Sequence, residues 1–142
     1  MIDELYSREI LRRTTQLEHV GHLAAPQATA DKVAKLCGST IHIELNMTDD
    51  TVSDFAQQVQ ACALGQAAAA IVSQHVVGAT RAEVFAAREA MRAMLKGGDY
   101  NFPERFDELK ILASVKDYPA RHASTLLAIE ATSEAIAALH HE

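Results

Sequence analysis

Two cysteines stand at places where the chain changes its secondary structure. Cys62 opens Cys62-Ala63-Leu64-Gly65-Gln66-Ala67-Ala68-Ala69-Ala70, between a stretch patterned as a strand and a run of small residues patterned as a helix. A thiol at a helix N-terminus meets the positive end of the helix dipole and free backbone N–H groups. Both favour the thiolate, the form that binds metal or attacks sulfur. The competing reading is a buried, inert cysteine, since cysteine is among the most buried residue types. Cys37 lies in Leu36-Cys37-Gly38-Ser39, where glycine permits a tight turn or a close backbone approach. Two thiols so placed suggest a soft-metal or sulfur-handling site.

Two thiolates are too few for a closed zinc or iron–sulfur site, which commonly uses four ligands. The residue best placed to supply a third is His122, because Pro119-Ala120-Arg121-His122 sets it in the first turn of the last expected helix. Its competing role is an ordinary solvent-facing or capping histidine. His42 falls on the polar face of a strand, His75 late in an apolar helix, His19 and His22 beside a loop glycine, and His140 and His141 in the tail. Arg81, Arg88, Arg92 and Lys96 recur at helical spacing around Phe85, as a solvated face or as a ridge for an acidic partner. The chain has no C-x-x-C, H-E-x-x-H, phosphate loop or nucleophile elbow.

These side chains need elements to hold them. A first helix is expected over residues 4–16, with Leu5, Tyr6, Ile10 and Leu17 on one stripe. A loop follows over 18–28, broken by Gly21 and Pro26. Ala30 to Leu36 reads as a weak edge strand. From Thr40 to Met47, Ile41, Ile43, Leu45 and Met47 alternate with His42, Glu44 and Asn46, the period of a half-buried strand. Thr48-Asp49-Asp50 supplies turn chemistry. Val52 to Gln60 returns, with Val52 out of phase with Phe55, as a bulge or a late strand start would make it. A small-residue helix spans Ala63 to Val77 and ends at Gly78. Thr80-Arg81-Ala82-Glu83 is a capping box opening a helix to Lys96. A polar loop over 99–104 and a short helix from Glu104 to Leu112 come next. The last helix starts at Asp117-Tyr118-Pro119 and runs to Leu139, with Leu126, Ile129, Ile136 and Leu139 inward. Short connections make the strands an antiparallel meander. The expected class is α+β: a three-stranded antiparallel sheet with helices packed mainly on one face, in a single domain over 1–142.

The 142 residues suffice for one domain with a core. Of these, 49% are hydrophobic but only 5% aromatic, so alanine supplies much of the bulk and closely packed helices are expected. A net charge of −6 argues against nucleic acid or an anionic membrane as partner. No apolar run approaches the ~20 residues of a membrane helix, and Met1-Ile2-Asp3-Glu4-Leu5 lacks the features of a signal peptide. The two cysteines are therefore expected as free thiols in a reducing, cytoplasmic compartment.

Taken together, these residues resemble the NifU-like iron–sulfur cluster scaffold family, of the IscU and SufU types. The resemblance rests on Leu5-Tyr6 with Ile10-Leu11, Gly21 with Leu23, Cys37-Gly38 before the alternating strand, and the Asp54 region. It continues through Cys62 with its small-residue helix, Gly78 before Thr80-Arg81-Ala82-Glu83, and Arg121 with Leu127-Ala128. The stretch 97–117 resembles an insertion of the SufU type. The family surrounds a nascent cluster or a zinc ion with three cysteines and an aspartate. Cys37 and Cys62 match the first two cysteines. Ser39 replaces the aspartate, and Ser124 or Ala123 falls where the third cysteine would stand, with His122 beside it. Leu112-Ala113-Ser114-Val115-Lys116 lacks both prolines of the chaperone-recognition segment of the IscU type.

The resemblance implies a scaffold or carrier, not an enzyme, that binds iron, a labile Fe–S cluster or zinc through Cys37, Cys62 and His122. Its implied partners are a cysteine desulfurase and recipient apo-proteins. A zinc-dependent sulfurtransferase and a metal-free interaction module of the same fold are the alternatives.

Overall fold

The computed structural model describes residues 7–139. Glu4, Leu5 and Tyr6 of the expected first helix, and the tail histidines His140 and His141, lie outside the described residues. Helix α1 spans Arg8–Arg13, shorter than expected at its C-terminal end. Ser7 caps it by accepting from the Ile10 N–H at 3.3 Å. Thr14 and Thr15 turn their hydroxyls back onto the carbonyls of Leu11 and Arg12, which closes the last turn.

The strands are β1 (Ala28–Ala34), β2 (Ser39–Thr48) and β3 (Thr51–Gln60). They form one antiparallel sheet in the order β1-β2-β3. β1 begins and ends two residues earlier than expected. Leu36, Cys37 and Gly38 are needed for the turn into β2, with Gly38 at φ 72° and its N–H bonded to the Ala34 carbonyl. The anticipated bulge is present: Asn46 pairs with Asp54 but Met47 pairs with Val52, so Ser53 is the extra residue. Ile41, Ile43 and Leu45 face the core, and His42 and Glu44 face the opposite side.

Helix α2 spans Ala63–His75, α3 spans Arg81–Leu95 and α4 spans His122–Ala137. The capping box of Thr80 and Glu83 forms as its sequence predicts. α4 packs against α2, α3, β1 and β2, so the helices cover one face of the sheet. It begins after a 3₁₀ turn at Pro119–Arg121. Its inward residues include Leu127, Ile129 and Ile136, whereas Leu126 and Leu139 are only half-buried.

The segment expected as a short helix is a longer string of 3₁₀ turns over Glu104–Asp117, kinked at Phe106. Phe106, Leu109, Leu112 and Val115 are all fully buried. Their spacing of three residues matches the three-residue turn of a 3₁₀ helix. The run leads through the Pro119–Arg121 turn to the N-terminus of α4.

On the other face of the sheet, the chain between α1 and β1 makes a crossing. It first pairs with the free edge of β3, where the Gly21 N–H donates to the Gln57 carbonyl and the Gln57 N–H to that of His19, both within about 3 Å. It then passes over the middle strand to enter β1 on the far edge. Glu44 pins it there by accepting from the Leu23 N–H at 2.7 Å.

Candidate metal centre

Cys37 sits in the β1–β2 turn and Cys62 is the N-cap residue of α2. Both are half-buried free thiols. The Cys62 side chain makes no capping hydrogen bond. Its sulfur lies instead 3.4 Å from the Ser124 hydroxyl, in the first turn of α4. Ser39, the first residue of β2, connects the two cysteines. Its hydroxyl stands 3.1 Å from Cys37 Sγ and accepts from the Cys62 N–H at 3.3 Å. With the acceptor side of that hydroxyl occupied, its proton is free to point at Cys37. The Ser39 hydroxyl holds the Cys37 thiol below its usual value, and this outweighs the opposing effect of burial. The Ser39 N–H, Ser124 and Cys62 act in the same direction.

Close packing of two helices makes this arrangement possible. A Cβ on Gly65 would lie 2.9 Å from Ala61 Cβ and 3.0 Å from the Ser124 carbonyl oxygen. Glycine there lets the start of α4 approach the start of α2, which sets Ser124 against Cys62. Ser124 is itself fully buried, and its hydroxyl donates to the Arg121 carbonyl at 3.3 Å.

His122, the expected third ligand, is occupied elsewhere. Its Nε2 donates to the Val115 and Lys116 carbonyls at 3.0 and 3.1 Å. It fastens the end of the 3₁₀ run to the start of α4. Cys37, Cys62 and His122 do not form a three-donor cluster within coordinating reach. The sulfurs are accompanied by the hydroxyls of Ser39 and Ser124.

Arg81, Arg88 and Arg92 of the basic row on α3 are likewise engaged. Arg81 donates to the Ile136 and Leu139 carbonyls, Arg92 pairs with Glu130 and Glu89, and Arg88 pairs with Glu89 over the Phe85 ring. These three guanidinium groups are tied into contacts within the chain, and Lys96 is left exposed at the C-cap.

Sequence reasoning passed over Glu44. It treated the residue as one polar position of an alternating strand, but the side chain is buried, with His22 and His42 on the same oxygen. The available signal was His42-x-Glu44, which puts an imidazole and a carboxylate on one face of a strand.

A sheet of this order, with paired thiols where its first turn meets the N-termini of α2 and α4, defines the class. The family model for the NifU-like N terminal domain matches residues 5–137, and the chain belongs to that family. A crystal structure of a nitrogen-fixing NifU-like protein (N-terminal) from Brucella abortus shares the fold with a TM-score of 0.92 and 46% identity, covering 96% of this chain and 94% of that one. The iron-sulfur cluster assembly scaffold protein IscU of Thermotoga maritima is 27% identical over 137 residues, 93% of this chain and 92% of that protein. The protein of the same name from Streptococcus pyogenes serotype M1 is 24% identical over 135 residues, 95% of this chain and 84% of that protein. No helix among the described residues is long and apolar enough to cross a membrane.

Proposed function

We propose that this chain is a non-enzymatic scaffold or carrier for iron–sulfur cluster assembly, holding iron or a labile cluster as cargo on Cys37 and Cys62. The observation that carries the reading is the bridge made by Ser39, which couples the two thiols at one half-buried edge and favours the thiolate of Cys37. The curated relatives named as scaffolds support it. Two thiolates supply half of a usual ligand set. A partner's thiol or a small-molecule thiol completes the rest in transit. That makes the cargo easy to release, as a carrier requires. A cysteine desulfurase as sulfur source and apo-proteins as recipients are the partners this role calls for. Zinc can occupy the same thiolates.

Anaerobic reconstitution with iron and sulfide tests this. Thiolate-to-iron charge-transfer absorption is expected in the wild type and is expected to be lost in Cys37→Ala and in Cys62→Ala. Wild-type protein without such bands, and without bound iron or zinc, would leave the fold as a metal-free interaction module.

A further inference from the structure

A second group of donors lies on the face of the sheet away from the helices. His22, His42 and Glu44 place one ligand atom each within 4.8 Å of one another. It is the one group of three or more such donors with that proximity among the described residues. We propose that these three side chains form a binding site for a borderline divalent cation such as Zn²⁺, separate from the cysteine site. The ion would clamp the crossing segment to the middle strand.

The donor set and its supports favour this. Two imidazoles and a carboxylate are the ligand types that bind zinc and similar ions with an open fourth position. His22 Nδ1 lies 2.7 Å and His42 Nε2 lies 2.9 Å from the same oxygen, Oε2 of Glu44. The other two polar ends are already fixed. Asp31 stands 2.8 Å from Nδ1 of His42 and leaves Nε2 as the ligand atom. The Leu23 N–H holds Oε1 of Glu44 and leaves Oε2 free to coordinate. Outer partners of this kind orient metal-bound histidines and carboxylates. Tetrahedral donors at about 2.0–2.2 Å from zinc lie about 3.4 Å apart, so small side-chain rotations convert the present contacts into coordination.

Burial is graded suitably. The Glu44 side chain is 8% exposed, whereas that of His22 is 59% exposed and can swing in from the crossing segment. That exposure leaves the fourth position open to a solvent ligand.

The full chain carrying Cys37→Ser and Cys62→Ser isolates this site from the thiolates, so its result does not depend on the cluster reading. That variant is expected to bind one equivalent of Zn²⁺ and to melt at a higher temperature with zinc present. Adding His22→Ala, at an exposed position, should weaken binding about tenfold or more and abolish the thermal shift. Asp31→Asn, which touches only the back of His42, should weaken it by about tenfold. Cobalt bound in place of zinc should show d–d bands without thiolate charge transfer. No zinc uptake by the cysteine-free protein, or unchanged affinity after His22→Ala, would overturn the proposal.

Discussion

The Ser124 hydroxyl lies 3.4 Å from the Cys62 sulfur, across 62 residues of chain. The family resemblance expects a third thiol at about this position in the last helix. The resemblance places Ser124 or Ala123 there, and of the two the Ser124 hydroxyl faces Cys62, while the His122 ring bonds to the Val115 and Lys116 carbonyls. A serine hydroxyl is a poor ligand for a soft metal. On the proposed function, the chain supplies two cysteine ligands of its own and leaves the rest of a cluster's ligand set to a partner or a small thiol.

Ser124→Cys should supply the missing thiolate with little disturbance, because sulfur replaces oxygen at a position already facing Cys62. Reconstituted protein should keep its charge-transfer absorption several-fold longer under a chelator than the wild type does. Zinc affinity should rise in parallel. A variant that folds normally but loses its cluster at the wild-type rate would show that Ser124 is not where a third ligand acts.

Ser39→Ala removes the hydroxyl that lowers the Cys37 pKa and accepts from the Cys62 N–H. A lowered thiol pKa means a larger thiolate fraction at a given pH, so the substitution shifts Cys37 back toward ordinary thiol behaviour. Alkylation of Cys37 in metal-free protein should slow at neutral pH, and its pH midpoint should move upward. Burying an unpaired N–H costs about 1–3 kcal/mol, which urea denaturation should register. An unchanged alkylation profile would place the control of Cys37 elsewhere.

The strands were legible because Ile41, Ile43 and Leu45 alternate strictly with polar residues, and because the phase break between Val52 and Phe55 pointed to a bulge or a late strand start, of which the bulge is present. The capping box marked the start of α3 for an equally local reason. The turn that ends β1 at Ala34, two residues earlier than expected, was harder to read, since Ala30 to Leu36 carries no strong alternation. The 3₁₀ run was readable in principle from the three-residue spacing of Phe106, Leu109, Leu112 and Val115, but a helical template at 3.6 residues misses it. The cysteines were legible as a pair, whereas their partners were not. Ser39 and Ser124 meet the sulfurs only through the packing of β2, α2 and α4, and no local pattern records which way His122 or Glu44 will turn.

Gly65→Ala sets two effects against each other. Alanine favours a helix over glycine by up to about 1 kcal/mol. The new methyl group would stand 3.0 Å from the Ser124 carbonyl oxygen, a backbone atom of a packed helix, and 2.9 Å from Ala61 Cβ. Overpacking of this kind costs about 1–3 kcal/mol, so the net effect should be destabilising. Separation of α2 from α4 should also move Ser124 from Cys62. Thermal melting should show a lower midpoint, and reconstituted cluster should decay faster. A midpoint at or above the wild-type value would mean that α4 yields easily at this point.

Glu108 predicts how acid affects the fold. Its carboxylate joins three elements: Arg13 at the end of α1, His75 at the end of α2 and its own 3₁₀ run. Burial pushes the Glu108 pKa up, but the hydrogen bond from His75 and the charge of Arg13 outweigh it and hold the value below the ordinary 4.5. A carboxylate with a depressed folded-state pKa stabilises the fold fully above its unfolded value. That contribution disappears as pH falls below about 4.5 and through the folded value. Glu108→Gln removes the charge and leaves Arg13 without its counterion. It should cost about 1–2 kcal/mol at pH 7, with the difference from wild type shrinking as the pH is lowered from 5 toward 3. Urea denaturation of both proteins at several pH values measures this directly. A difference that stays constant across that range would mean that Glu108 acts through packing and not through its charge.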